Sequence, residues 1–145
     1  AHWFCTYMWR DILIVMADVA VIAGSASDQV IVEKVTNTLA QYGISYDTQI
    51  LSAHRDAKKL DVYVEGSDAK VFICIAGMSA ALPGVVAART AKPVIGVPVS
   101  GKIAGGLDAL LSIAQMPRGV PVACMAVDGG ENAAHFAHRI LSLSL

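Results

Sequence analysis

Four short runs built almost wholly from apolar, β-branched-rich residues constrain this chain more than anything else in it. They are VAVIA (19–23), KVFICIAG (70–77), VIGVPV (94–99) and VPVACMAV (120–127). Runs of this length without polar alternation read as strands buried on both faces of a sheet, which requires helices on both sides. A further strand is expected from about Tyr46 to Leu51. Between the strands the apolar spacing becomes helical. Ile31, Val35, Leu39 and Tyr42 share one helix face that Gly43 ends, and Ser27-Asp28 can cap its start. A short helix bears Leu60 and Val64, helix 79–90 carries Ala80, Ala81, Ala87 and Ala88, and Leu107 to Ala114 is helical. Ala133, Phe136, Ala137, Ile140 and Leu141 line the core face of a last helix. Strands that each lead into a helix predict an α/β fold, a three-layer α/β/α sandwich around a five-stranded parallel sheet with right-handed crossovers.

At 145 residues the chain is one domain's length. Hydrophobic residues at 55% against 16% charged exclude intrinsic disorder. They also exceed what a small isolated domain keeps, so a membrane or partner subunits must cover the surplus. The longest apolar run, Ile12 to Ala17, is far short of the roughly 20 residues that span a bilayer. A homo-oligomer is therefore expected, and no membrane. A net charge of −1 without a Lys/Arg cluster argues against nucleic acid. Cys5, Cys74 and Cys124 form no CxxC pair and give neither a zinc nor a disulfide pattern. Cys74 and Cys124 read as small core residues, and a reducing, cytoplasmic compartment fits.

Residues 1–15, AHWFCTYMWRDILIV, differ from the rest: they hold both tryptophans, and Met16-Ala17-Asp18 then enters VAVIAG as a translation start would. We read 1–15 as a leader of expression or upstream-frame origin, the alternative being an arm that covers a neighbouring subunit. Residues 16–145 are then a single domain.

Ligands of such sheets bind beyond the carboxyl ends of the strands. Polar and glycine residues gather there: Gly24-Ser25-Ala26-Ser27-Asp28, Ser52-Ala53-His54-Arg55, Gly77-Met78-Ser79, Ser100-Gly101-Lys102 and Asp128-Gly129-Gly130-Glu131-Asn132. Gly24-Ser25 at a helix start offers an anion site, but neither GxGxxG nor a Walker A pattern is present. Asp28 could accept from sugar hydroxyls or merely cap a helix. Arg55 is a natural phosphate clamp or a solvated surface group. His54 is the histidine in a polar loop after a strand, where an imidazole can shuttle a proton. His135 and His138 have a metal-compatible spacing but no third ligand nearby, so packing roles are expected. Met116-Pro117-Arg118-Gly119 is a rigid turn.

The segments VAVIAGSASD, ILSAHRDAKKL, IAGMSAALPGVVAARTAKPVIGVPV, LDALLSIAQMPRGVPVA and DGGENAAHFAHRIL, in this order and spacing, resemble the PurE family of purine biosynthesis over residues 18 to 143. The resemblance implies a flavodoxin-like fold, an octamer, and carboxylation of aminoimidazole ribonucleotide without metal, ATP or biotin, hence no cofactor. Carried over by motif, His54 moves protons, Ser25 and Asp28 bind phosphate and ribose, and Ser52 and Arg55 hold the phosphate. Gly24, Ser27, Ala53, Gly77, Ser79, Ala81 and Leu82 complete the substrate site. The partners implied are aminoimidazole ribonucleotide with CO2, or its N5-carbamate.

One departure sets the expected reaction. The family's bacterial mutases carry GGAAHLPG where this chain reads Gly77-Met78-Ser79-Ala80-Ala81-Leu82-Pro83-Gly84, so Ala81 stands in place of a second histidine. Direct carboxylases of the family read GRSNALSG, matching Ser79 and Ala81, whereas Pro83 and the arginine of SAHR follow the mutases. Direct carboxylation of C4 by CO2 is therefore expected first, with the N5-carboxyaminoimidazole ribonucleotide mutase as the alternative. Remoter alternatives are a related nucleotide carboxylase of cofactor synthesis and a non-catalytic nucleotide-binding domain. Many relatives also continue past the last helix, where this sequence reaches Leu145, which bears on subunit contacts rather than on the site edge.

Overall fold

The computed structural model describes residues 6–9 and 12–143. Each continuous apolar run becomes a strand whose alternate residues feed two separate cores. β3 (Val19–Ala23) sends Val19, Val21 and Ala23 to one face and Ala20 and Ile22 to the other. β5 (Val71–Ala76) does the same with Ile73 and Ile75 against Phe72 and Cys74. β4 (Tyr46–Ile50), β6 (Val94–Pro98) and β7 (Ala123–Cys124) complete an all-parallel sheet in the order β4-β3-β5-β6-β7. This is the flavodoxin-like order 2-1-3-4-5. Helices α1 (Gln29–Gln41) and α5 (Gly130–Leu141) cover one face; α2 (Ala57–Gly66), α3 (Leu82–Ala87) and α4 (Leu107–Ala114) cover the other. Fully buried side chains such as Ile22, Phe72, Ile73 and Ile95 each contribute about 1.5–3 kcal/mol of transfer free energy.

Two close approaches set the layer spacing. A Cβ on Gly96 would collide with Ile113 Cγ2 of α4 and lie 3.3 Å from Pro83 of α3, so this position in β6 has room only for hydrogen. A Cβ on Gly130 would come 2.9 Å from the Ile31 carbonyl oxygen, which lets α5 start directly against α1. Tyr63 is buried in α2, and its hydroxyl donates to Asp47 on β4 at 2.7 Å, fastening the edge strand.

Three elements differ from the sequence expectation. The last strand shrinks from 120–127 to Ala123–Cys124. Pro121 has no N–H to donate, and Pro98 likewise gives β6 no donor at its end. Helix 79–90 shortens to Leu82–Ala87, because Met78 adopts φ 51° and Ala80 and Ala81 make turn hydrogen bonds back to Met78 and Ser79. Phe136, placed on the core face by periodicity, is 37% exposed; Ala133, Ala134 and Ala137 make that contact.

Within residues 1–15, β1 (Thr6–Trp9) and β2 (Ile12–Val15) pair antiparallel as a separate two-stranded sheet. The leader expectation otherwise falls on residues outside the description, as do His2 and Cys5. Cys74 is buried and free, and burial pushes its thiol well above the usual range; Cys124 is only half-buried. Among the described residues, no helix is long and apolar enough to cross a membrane.

Candidate functional site

Because β3 lies between β4 and β5, the chain leaves β3 towards one helical layer and leaves β5 towards the other. The sheet opens at that switch point. A cleft of about 480 Å³ occupies it. The turn after β3 supplies Gly24, Ser25, Ser27 and Asp28. The turn after β4 supplies Ser52, Ala53, His54 and Arg55, and the turn after β5 supplies Gly77, Ser79, Ala81 and Leu82. The residues that the family motifs single out in these three turns thus line one cleft, whereas the Asp128–Asn132 cluster does not reach it.

The turn after β4 locks itself. The Ser52 N–H donates to the Asp56 carboxylate at 2.9 Å, the Asp56 N–H donates back to the Ser52 carbonyl at 2.8 Å, and Ser52 Oγ accepts the Arg55 N–H at 3.2 Å. Ser52 is buried by this, while His54 and Arg55 stay exposed at the cleft. The Arg55 guanidinium Nη2 donates to the Gly24 carbonyl at 3.2 Å, joining the two turns. One fork edge is thereby fixed and the rest of the cation faces the cleft, the arrangement that bidentate recognition of a phosphate needs.

Asp28 is buried at 8% exposure in the same wall. Its capping role is not found: the side chain makes no cap hydrogen bond to α1, and Ser25 instead accepts from the Ser27 N–H. Burial pushes the Asp28 carboxyl above its usual range, the Ser25 backbone pulls it back, and the negative Asp128 adds to the rise. A buried acceptor of this kind gains most from hydroxyl donors, the groups a ribose offers.

The cleft has further walls, at residues that the sequence places on the ligand edge or beside it without a role. Met78, 79% exposed, stands at the lip, and Val99, Ser100 and Gly101 close the side beyond β6. Their position after a strand was the available signal. Lys102, in the same cluster, is not a lining residue, and neither is Arg118 in its exposed turn. His135 and His138 lie elsewhere. Tyr42, at the end of α1, shares a 2.6 Å hydrogen bond with His135 Nδ1 and stacks on His138 at 3.8 Å between ring centres. Among the described residues, no group of three or more His, Cys, Asp or Glu is placed to hold a metal ion.

A family model described as AIR carboxylase matches residues 18–145. The N5-carboxyaminoimidazole ribonucleotide mutase of Methanocaldococcus jannaschii is 51% identical over 125 residues, 86% of this chain and 79% of that protein. The mutase of Saccharolobus solfataricus is 46% identical over 131 residues, 88% of this chain and 83% of its own. The phosphoribosylaminoimidazole carboxylase of Candida albicans is 44% identical over 126 residues, covering 85% of this chain and 22% of that protein. The crystal structure of Treponema denticola PurE is similar with a TM-score of 0.80 at 34% identity, over 88% of this chain and 81% of that one.

Proposed function

The chain belongs to the AIR carboxylase family, and on that premise we propose that it is an N5-carboxyaminoimidazole ribonucleotide mutase of purine biosynthesis, with residues 16–145 as the catalytic domain. One observation carries the reading: relatives named as this mutase match at 43–51% identity across most of the chain. This reverses the order expected from Ala81, which put direct carboxylation first.

In this reading the nucleotide phosphate sits among Ser25, Ser52 and Arg55, the ribose hydroxyls donate to Asp28, and the aminoimidazole lies against His54. The N5–carboxyl bond breaks to give CO2, and the electron-rich C4 attacks it, forming the new carbon–carbon bond. C4 then holds both its hydrogen and the carboxylate, and loses the proton to restore aromaticity. N5 gains one proton and C4 gives one up, so a single imidazole at His54 can balance the step. The walls hold CO2 beside C4 and exclude water, converting a bimolecular capture into a local one.

Direct carboxylation is the second reading, favoured by Ala81 and Ser79 on the cleft wall. Incubation with the N5-carbamate, and separately with aminoimidazole ribonucleotide plus bicarbonate, distinguishes them through absorbance of the C4-carboxylated product. Efficient turnover of the carbamate alone is expected. Saturable turnover of aminoimidazole ribonucleotide at modest bicarbonate would establish the carboxylase instead, and inactivity on both would refute the family activity for this chain.

The same proposal includes assembly of several copies, supported by exposed Val30, Ile103, Leu107 and Leu111 on α1, on α4 and on the loop before α4. Light scattering is expected to return a multiple of 15.2 kDa, with eight copies as the family resemblance implies. A 15.2 kDa particle at micromolar concentration would contradict it.

A further inference from the structure

Asp128 lies outside the cleft lining, in the turn between β7 and α5, yet it is tied to the cleft at two points. Its N–H donates to the Pro98 carbonyl at 2.8 Å, and its carboxylate Oδ1 accepts the Ser100 N–H at 2.8 Å. These bonds straddle the point where β6 releases the chain into the Val99–Gly101 wall. To make both, Asp128 adopts φ 59°, a left-handed backbone that side chains rarely take and that Asp tolerates better than most. The turn is held from behind as well, since Gly129 lies against the Ala126 carbonyl and Gly130 against the Ile31 carbonyl of α1.

We propose that Asp128 is a positioning residue of the nucleotide cleft: it clips the Ser100 wall to the α1–α5 layer, so that the wall stands at a fixed place opposite the turns bearing Asp28 and His54. The inference rests on the nucleotide reading of that cleft. Without the clip, the Val99 N–H bond to the Ala76 carbonyl still tethers the start of the wall, but the Ser100 amide has no acceptor among its described neighbours. Wall mobility then lowers the fraction of molecules ready to enclose the ligand, and apparent affinity falls by that fraction. The Asp128 charge also faces Asp28, where it reinforces the effect of burial.

Two substitutions separate backbone strain from the clip. Asp128→Gly keeps the left-handed turn comfortable but removes the acceptor. Asp128→Asn keeps an oxygen acceptor for Ser100 and removes the charge. In hydrogen–deuterium exchange without substrate, the Ser100 amide is expected to exchange about 10–100-fold faster in Asp128→Gly, the range for loss of a hydrogen bond to a charged group. KM for the nucleotide is expected to rise about tenfold with kcat less affected, and Asp128→Asn recovers both readouts. Unchanged Ser100 exchange in Asp128→Gly overturns the clip, as does an Asn variant as impaired as the Gly variant. A loss confined to thermal stability, with KM unchanged, overturns the positioning role. Should the wild type turn over neither nucleotide, the proposed function fails, while Ser100 exchange still decides whether Asp128 holds the wall.

Discussion

Replacing His54 with Asn is expected to cut kcat by roughly 10²–10⁴-fold, the range that a positioned proton-transfer group supplies. Nucleotide affinity should change little. Asparagine has similar bulk and can still hydrogen-bond, so the self-locked Ser52–Asp56 turn keeps its shape; none of its hydrogen bonds uses the imidazole. What disappears is the capacity to take the C4 proton and return one to N5. Single-turnover kinetics beside equilibrium binding provide the check. A variant that binds and turns over like the wild type would remove His54 from the chemistry and transfer the proton step to another group at the cleft.

Arg55→Ala acts on the other half of the free energy. The guanidinium spans the turns after β3 and β4 through the Gly24 carbonyl, and it is the one Arg or Lys side chain among the cleft-lining residues. Charge-assisted hydrogen bonds to a phosphate are the strong kind, and losing a pair of them is expected to weaken nucleotide binding about 100-fold. KM should carry most of that change, because the phosphate keeps its charge from ground state to transition state. Affinity that is unchanged in the variant, measured by calorimetry with aminoimidazole ribonucleotide, would place the phosphate elsewhere. Lysine at 55 is expected to recover only part of the loss, since its point charge cannot reproduce the fork.

Much of this architecture was legible because buried parallel strands leave a local mark. VAVIA and KVFICIAG announce strands by composition alone, the second losing one residue at each end, and the glycines and hydroxyls after β3, β4 and β5 fall where the cleft opens. The misses share a cause, namely partners that are remote in sequence. The last strand was overextended because its apolar run continues through Pro121, while its length is set by which β6 donors remain available. Phe136 follows the helix period, yet the space against α1 is so narrow that alanines fill it. Ser100 and Asp128 were both visible as polar residues after strands. Their mutual bond joins different loops, and no local spacing announces it. The mutase and carboxylase readings could not be separated at Ala81 because one small residue reports what is absent from the wall, not what the wall does.

The placement of β3 has a consequence for how the molecule comes into being. Val19–Ala23 precedes β4 and β5 in the chain yet lies between them in the sheet. One of its edges stays unpaired until the crossover through α1 closes on β4, the other until the chain has also passed through α2 to β5, and parallel pairing of that sort is slow to nucleate. During synthesis this wholly buried strand is thus the first of the five-stranded sheet to emerge and must wait for neighbours on either side. In that interval its open edges are templates for pairing with other copies of the chain, a hazard that grows with concentration.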